Sequence, residues 1–284
     1  MAEAAARLRA SGVTTPDHDA RRIVEEASGW EGADHALHLD DAVSVRAERS
    51  STAMIERRSA GEPLQYVLGR WGFRRLDLYL DRRVLIPRPE TEQVVEAALG
   101  ELDRLAVELD RSPVAVDLGT GSGAVALALV SERASVEVWG TDESPDALAV
   151  ARANVAGVGR TGTRVRLAEG DWFDALPPEL EGQVDVIVSN PPYVAASEVG
   201  NLPAEVADWE PVGALVAGPT GLEAIDVIVT EAPGWLTARG ALVVEHAPHQ
   251  AHEVVRLARQ AGFDDTETRP DLAGRDRMLV ARLG

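Results

Sequence analysis

The chain contains no cysteine and no lysine, and it has no apolar run long enough to span a bilayer. Without cysteine, there are no disulfides, no thiolate metal sites and no cysteine nucleophiles. The first residues have neither the basic start nor the apolar core of a secretory signal. We therefore expect a cytoplasmic protein with no membrane partner.

Basic residues are scarce relative to acidic ones. The formal net charge is −19 at pH 7, and all 28 basic residues are arginine. Tight, non-specific binding to nucleic acid depends on basic residues that neutralise phosphates. We therefore expect no direct nucleic-acid partner, and we expect a monomer.

The hydrophobic pattern divides the 284 residues into three parts. Residues 1–68 have apolar side chains at helical spacing and predict a small helical domain. Residues 69–87 partly alternate and predict a hairpin or connector. Residues 88–284 open with a helix and then alternate strand and helix, which predicts an α/β domain with a doubly wound, mostly parallel sheet. The predicted strands are 114–118, 136–141, 165–168, 184–189, 241–245, 263–268 and 278–281.

A glycine-rich turn, Asp117-Leu118-Gly119-Thr120-Gly121-Ser122-Gly123, joins the first of these strands to a helix. Glycine lets a backbone turn sharply and approach a ligand closely, and helix N-terminal amides add partial positive charge. Asp142 ends the second strand, where a carboxylate can accept both hydroxyls of a ribose. With Ala124, the same glycines also fit the fingerprint of dinucleotide binders, so NAD is an alternative.

Two features favour S-adenosylmethionine over NAD. Asp117, directly before the turn, would repel a pyrophosphate but would suit a cationic ligand. Asp171-Trp172 follows the third strand and would offer an adenine a carboxylate and a ring edge, although Trp172 alone fits a core aromatic equally well. S-adenosylmethionine carries an adenine, a ribose, an ammonium and a sulfonium but no phosphate. We therefore expect this cofactor, with S-adenosylhomocysteine as product.

The tetrapeptide Asn190-Pro191-Pro192-Tyr193 follows an apolar strand, at the sheet edge where ligands bind in open α/β sheets. The two prolines stiffen the loop and remove two N–H donors, which leaves carbonyl acceptors. Together with the Asn190 amide oxygen and the Tyr193 ring, these acceptors suit a planar NH2 group. The alternative is a proline-rich turn that only closes the strand.

These motifs resemble those of the class I S-adenosylmethionine-dependent methyltransferases. More narrowly, they are similar to the HemK-type enzymes that methylate a glutamine side chain of peptide chain release factors. The stretches Gly61–Gly69, Leu85–Glu92 and Asp271–Arg277 also match that family. Glu245-His246-Ala247 and Asp208–Pro211 depart from its usual pattern, which weakens any expectation about release-factor preference.

The resemblance implies a seven-stranded Rossmann-like sheet with one antiparallel strand, an N-terminal substrate-docking domain, and methylation of the glutamine in the Gly-Gly-Gln loop, which supports translation termination. The residues and the resemblance together assign catalysis to Asn190, Pro191, Pro192 and Tyr193. Substrate binding is assigned to the same four residues and to Arg88, Pro89 and Glu90. Cofactor contacts are assigned to Asp117, Gly119, Thr120, Gly121, Ser122, Gly123, Asp142, Asp171, Trp172 and Asn190.

An amide nitrogen is a poor nucleophile, and no strong base lies in the tetrapeptide. We hypothesise that the Asn190 side-chain oxygen and the Pro191 carbonyl each accept one N–H of the target amide, which aims its nitrogen and stabilises the developing charge. Tyr193 would pack on the amide plane. The proton leaves after transfer, so we assign no general base.

Three alternatives remain at this point. The same tetrapeptide suits the exocyclic amine of adenine in nucleic acid, which would need base flipping and a positive groove. Another glutamine-bearing protein, such as a ribosomal protein, is a second possible substrate, and a non-catalytic scaffold is the third alternative. Six arginines along the connector form either a solvated face or a docking surface for an acidic partner: Arg70, Arg74, Arg75, Arg82, Arg83 and Arg88.

We expect no metal site. His246, His249 and His252 are spaced by three, and such positions turn too far around a helix to converge on one ion.

Overall fold

The computed structural model describes residues 1–38, 43–107 and 109–284. They form two compact units, residues 1–71 with 203–209, and residues 72–202 with 210–284. The sequence places 203–209 in the α/β domain, but in the structure this segment groups with the N-terminal helices. No helix of the described ranges is long and apolar enough to cross a membrane.

The helices, in chain order, are α1 Ala2–Ala10, α2 Pro16–Ser28, α3 Gly32–Leu37, α4 Val45–Ser59, α5 Leu64–Leu68, α6 Thr91–Ala106, α7 Ala124–Glu132, α8 Pro145–Gly157, α9 Ala204–Ala207, α10 Glu223–Trp235 and α11 Ala251–Gln260. The strands are β1 Arg70–Phe73, β2 Leu76–Tyr79, β3 Val114–Leu118, β4 Glu137–Asp142, β5 Val165–Glu169, β6 Val184–Ser189, β7 Val194–Ala195, β8 Val216–Gly218, β9 Leu236–Glu245, β10 Asp265–Pro270 and β11 Asp276–Arg282.

The first unit is a helical bundle around a small apolar core. α1, α2, α4 and α5 enclose Leu8, Ile23 and Ile55 with their neighbours. Arg58 and Asp19 form an ion pair of 2.7 Å inside this bundle, and both side chains are buried. Because a buried charge is costly without a partner, this pair makes the packing of α4 on α2 specific.

The second unit is built on a seven-stranded sheet with the order β10-β11-β9-β6-β3-β4-β5. β11 is antiparallel to β10 and β9, whereas β9, β6, β3, β4 and β5 are parallel to one another. α6 and α7 pack on the sheet and on each other, as do α10 and α11. This arrangement confirms the predicted doubly wound α/β fold with a single antiparallel strand.

Strands β4, β5, β10 and β11 differ from the predicted bounds by one or two residues, and β9 differs the most. β9 begins at Leu236, because Leu236 already pairs with Val184, and an irregularity in the pairing separates it from the regular ladder that starts at Ala241. α11 begins at Ala251, because residues 248–250 form a 3-10 turn. The first half of β9 contains polar residues and Gly240, so it lacks the apolar pattern by which the sequence predicts a strand.

The register of the parallel strands brings the candidate residues to one edge of the sheet. Leu118 of β3 lies beside Thr141 of β4 and Ser189 of β6, and Ser189 lies beside Val244 of β9. The residues that follow at each strand end therefore meet at the carboxyl edge, where open α/β sheets bind ligands.

Candidate active site

A cavity of about 570 Å³ opens at the carboxyl edge of β3, β4 and β6. This volume lies in the range of small-molecule sites. Seven of the predicted site residues line it: Gly119, Gly121, Asp142, Asp171, Trp172, Asn190 and Pro192.

Gly119 and Gly121 bring the glycine-rich turn to the cavity wall. Their φ angles are +70° and +55°, a conformation that side chains other than glycine rarely adopt. A Cβ on Gly119 would stand 3.3 Å from the indole of Trp172. The turn is therefore glycine-rich both because the backbone is left-handed and because an aromatic ring lies close against it. The other predicted residues of this turn, Thr120, Ser122 and Gly123, are buried.

Asp117 lies behind the turn and is 1% exposed. Its Oδ2 accepts a hydrogen bond from the Thr120 hydroxyl at 2.6 Å and another from the Ala126 amide at 3.0 Å. Burial raises its pKa to about 7. The sequence predicts that Asp117 faces a cationic ligand, but in the structure this carboxylate joins the turn to α7, since one donor comes from the turn and the other from the first turn of α7.

Asp142 occupies the predicted position at the end of β4 and lines the cavity. Its two oxygens accept from the backbone amides of Gly121 at 2.8 Å and Ser144 at 3.0 Å. Burial raises the pKa of this carboxyl. Each carboxylate oxygen has a further lone pair, so the oriented group can still accept hydroxyl donors.

The cavity lining is acidic. Asp142, Glu143, Asp171 and Glu223 contribute to it, whereas Arg83 is the basic residue among the lining residues that the structure describes. Arg83 is itself paired with Asp81 at 2.6 Å. A lining of this charge disfavours a pyrophosphate and favours a cation, which is the discrimination that the sequence had attributed to Asp117.

Trp172 adopts φ +39°, which is unusual for a large side chain. It opens the 3-10 turn Trp172–Ala175, and Asp171 before it is exposed. Strained residues are concentrated at ligand sites, where the surrounding structure holds them in place. In this conformation the indole lies against Gly119 at the cavity wall.

Asn190 and Tyr193 are held by two residues to which the sequence assigned no role in the site, Thr91 and Glu245. The Asn190 Nδ2 donates to Thr91 Oγ1 at 3.1 Å, and that hydroxyl donates to Glu245 Oε2 at 2.7 Å. The Tyr193 hydroxyl donates to Glu245 Oε1 at 3.2 Å. The signals were present, since Thr91 follows the Arg88-Pro89-Glu90 motif and Glu245 ends a buried strand, but nothing in the sequence joins residues so far apart.

Burial affects the acidity of this network. It raises the pKa of Glu245 to about 7, and burial together with the charge of Glu245 raises the pKa of the Tyr193 hydroxyl above its ordinary range. Tyr193 is consequently a neutral hydrogen-bond donor throughout the physiological range. Pro191 is buried beneath the loop, whereas Pro192 faces the cavity.

The three predicted substrate residues before α6 make other contacts in the structure. Arg88 Nη2 lies 2.6 Å from Glu210 Oε1, and Glu90 pairs with Arg275 at 3.2 Å. Pro89 is exposed. Arg88 and Glu90 therefore tie loops together, and a contact of this motif with substrate stays a prediction.

The connector arginines are largely paired within the protein. Arg74 pairs with Glu132 and Glu96, Arg83 with Asp81, and Arg70 with Glu26 and Glu31. Arg75 and Arg82 are exposed. Because most of these cations are already neutralised, they form a weaker docking surface than the sequence suggests.

The three histidines lie in different environments. His246 is buried, whereas His249 and His252 are exposed. No cluster of potential metal ligands was found in the part of the chain that the structure describes.

An apolar wall of the cavity was also missed. It is formed mainly by Val84 and Leu85 at the end of the connector and by the segment around β8, with Pro211, Ala214, Val216 and Ala217. These side chains are apolar or small, so their chemistry alone did not mark them as part of a site.

Comparison with known proteins extends over both units. Residues 1–69 match the family model described as the PrmC N-terminal domain, and residues 102–205 match the methyltransferase small domain. A release factor glutamine methyltransferase of Cereibacter sphaeroides is 40% identical over 98% of this chain and 95% of the relative. A release factor glutamine methyltransferase of Burkholderia pseudomallei is also 40% identical, over 99% of this chain and 96% of the relative.

A solved methyltransferase of Pyrococcus furiosus has a TM-score of 0.51 at 18% identity, covering 84% of this chain and 99% of that chain. This likeness concerns the fold alone.

Proposed function

This chain belongs to the release factor glutamine methyltransferase family, and we propose that it methylates the side-chain amide nitrogen of the glutamine in the Gly-Gly-Gln loop of a peptide chain release factor, with S-adenosylmethionine as donor. The observation that carries the proposal is that Asn190 and Pro192 of the tetrapeptide line the same acidic cavity as Gly119 and Gly121 of the glycine-rich turn. A modifier of translation factors acts in the cytoplasm.

The residues of the cavity fit this cofactor. Asp142 is held by two backbone amides with acceptor capacity left for a ribose, and the Trp172 ring offers an aromatic face beside Gly119. The acidic lining suits a cationic molecule. When bound, S-adenosylmethionine supplies a methyl group made electrophilic by its sulfonium.

Asn190 and Pro191 orient the target amide in this proposal. The Asn190 Oδ1 and the Pro191 carbonyl each accept one N–H, so the nitrogen lone pair faces the methyl carbon. When the new N–C bond replaces the S–C bond of the bound donor, positive charge would develop on nitrogen, and the Asn190 Oδ1 and the Pro191 carbonyl would stabilise it. The extra proton then leaves to water.

Positioning accounts for most of the rate in this scheme. Well-oriented reactants can gain roughly 7–11 kcal/mol relative to free encounter. Tyr193 stays protonated, since its pKa is raised, and therefore packs and donates rather than acting as a base. The stiff proline pair keeps both acceptors in place.

Peptide mass mapping tests the proposal. A release factor incubated with the enzyme and S-adenosylmethionine should gain one methyl on the Gly-Gly-Gln glutamine. A catalytically silent enzyme that still binds the cofactor, or one that methylates adenine in an oligonucleotide instead, would overturn it.

A further inference from the structure

Thr91 and Glu245 lie behind Asn190 and take no part in the steps above. Thr91 is the first residue of α6, Glu245 is the last residue of β9, and both are buried. We propose that these two are positioning residues, which fix the orientation of the Asn190 carboxamide so that its oxygen, rather than its nitrogen, is presented to the substrate amide. The inference rests on the proposed function.

The directions of the hydrogen bonds lead to this orientation. Once Glu245 is ionised, above its pKa of about 7, its carboxylate only accepts hydrogen bonds, and a threonine hydroxyl has one hydrogen to donate. Thr91 donates that hydrogen to Glu245 Oε2 at 2.7 Å. Towards Asn190 its oxygen can therefore only accept, so the group 3.1 Å away must be the amide nitrogen. The Asn190 Oδ1 consequently points away from Thr91.

Glu245 also holds the other end of the tetrapeptide. Its Oε1 accepts from the Tyr193 hydroxyl at 3.2 Å. The carboxylate thus has a donor on each oxygen, and the positive charge of Arg277 on β11 acts on it as well. One buried carboxylate therefore sets the positions of Asn190, through Thr91, and of Tyr193, directly.

The orientation matters because an asparagine amide is nearly symmetric in shape but not in chemistry. Turned by half a rotation, Asn190 would present two N–H donors to a target that itself carries two N–H donors. The acceptor for the developing charge would be lost. Without the Thr91 hydroxyl, the Asn190 nitrogen would lack a buried partner, and turning it towards the cavity would be the favourable response.

We call the chain of hydrogen bonds from Glu245 through Thr91 to Asn190 the relay. Four variants of Thr91 and one control test it. Thr91→Val keeps the shape and removes the hydroxyl, and Thr91→Ala differs from Thr91→Ser by that oxygen alone. At saturating cofactor, we expect kcat with a release factor to fall about tenfold or more in Thr91→Val and Thr91→Ala. Thr91→Ser should recover most of that loss, and the Kd for S-adenosylmethionine should change less than about threefold in all three, since Thr91 lies behind the cavity wall. Thr91→Asn, which restores a polar group in a different geometry, should not recover the rate.

Thr237→Val is a matched control. Thr237 lies on β9, the strand that ends at Glu245, but near its opposite end, and its hydroxyl donates to the Asp185 carboxylate at 3.5 Å. This variant also removes a threonine hydroxyl from a carboxylate, but away from Asn190. It should leave kcat within about twofold of the wild type.

The outcomes separate the relay from the function. An active wild type whose kcat persists in both Thr91→Val and Thr91→Ala would overturn the relay and leave the proposed function standing. Equal losses in Thr91→Ser and Thr91→Ala would also overturn it, because they would trace to packing. A wild type that methylates no release factor would remove the proposed function, and the relay with it. If Thr91→Val does not fold, as judged by cofactor binding, the comparison of kcat in Thr91→Ser and Thr91→Ala decides whether the hydroxyl is needed.

Discussion

A Cβ at Gly119 would crowd the Trp172 indole at 3.3 Å, and the φ of +70° disfavours a side chain there. We expect Gly119→Ala to raise the Kd for S-adenosylmethionine at least tenfold, because the new methyl group forces the indole to shift at the cavity wall. Isothermal titration calorimetry measures this change.

Gly159 provides the matched control for this substitution. Its φ is +62°, and an added Cβ would meet nothing within 4 Å. Gly159→Ala therefore carries the same backbone strain, about 1–2 kcal/mol, without the clash. Equal weakening of cofactor binding by both variants would show that the loss comes from backbone strain and not from Trp172.

Asn190 should separate catalysis from cofactor binding. We expect Asn190→Ala to reduce kcat about 10²–10³-fold, the usual effect of removing one hydrogen bond that stabilises developing charge. The Kd for S-adenosylmethionine should change less than about threefold. Asn201→Ala, at an exposed position, is the control. A parallel loss of affinity and rate would assign Asn190 to cofactor binding instead.

At the scale of elements, an ion pair anchors the start of the segment from Glu210 to β8. The Glu210 side chain is 1% exposed, pairs with Arg88 at 2.6 Å and accepts from the Ile86 amide at 3.4 Å. The residues that follow it, Pro211 to Ala217, contribute to the apolar wall of the cavity. Arg88, just before α6, thus anchors a cavity wall that is formed by residues far away in the sequence.

Arg88→Met should loosen that wall. It keeps the aliphatic stem but leaves the buried Glu210 carboxylate without its cation, at a cost on the order of 1–3 kcal/mol. We expect a lower Tm and faster amide hydrogen exchange over residues 211–217. Adding Glu210→Gln should recover part of both, because the uncompensated charge is gone. Exchange that stays at the wild-type rate in Arg88→Met would argue against the tether.

At the scale of the whole molecule, burial raises the pKa of several carboxyls of this acidic chain, among them Asp117, Glu210 and Glu245. Burial brings Asp117 and Glu245 to about 7, above the ordinary 3.8 and 4.5. Such groups stabilise the folded state at low pH, and this stabilisation is lost as the pH rises through the folded pKa. Several carboxyls that pair with arginine have lowered pKa values, among them Asp81, whose pKa the Arg83 guanidinium holds at about 2. These groups stabilise the folded state above their ordinary pKa, and this stabilisation is lost as the pH falls through the folded pKa.

We therefore expect the Tm to be highest in mildly acidic solution and to fall between about pH 5 and pH 8. Asp117→Asn should reduce this fall, because an amide oxygen can still accept from Thr120 and Ala126 without carrying a charge. Calorimetry across this pH range measures the effect, at roughly 2–4 °C per kcal/mol for a protein of this size. A Tm that rises steadily from pH 5 to pH 8 would contradict the expectation.

The sequence by itself determined the elements and the chemistry of the loops. Alternation of strand and helix is a local pattern, so the seven strands of the sheet follow from it. The acceptor groups of a motif such as Asn190–Tyr193 are likewise given by its residue types. Local signals were weaker where a strand is polar, as in the first half of β9.

Only the tertiary structure decided which distant residues meet. Thr91 and Glu245 are separated by 154 positions and come together because α6 packs on β9. Other tertiary contacts turned Asp117 inward, paired Arg88 with Glu210 and placed Trp172 against Gly119. Hydrogen-bond direction and burial are properties of neighbours in space, and a sequence pattern records only neighbours along the chain.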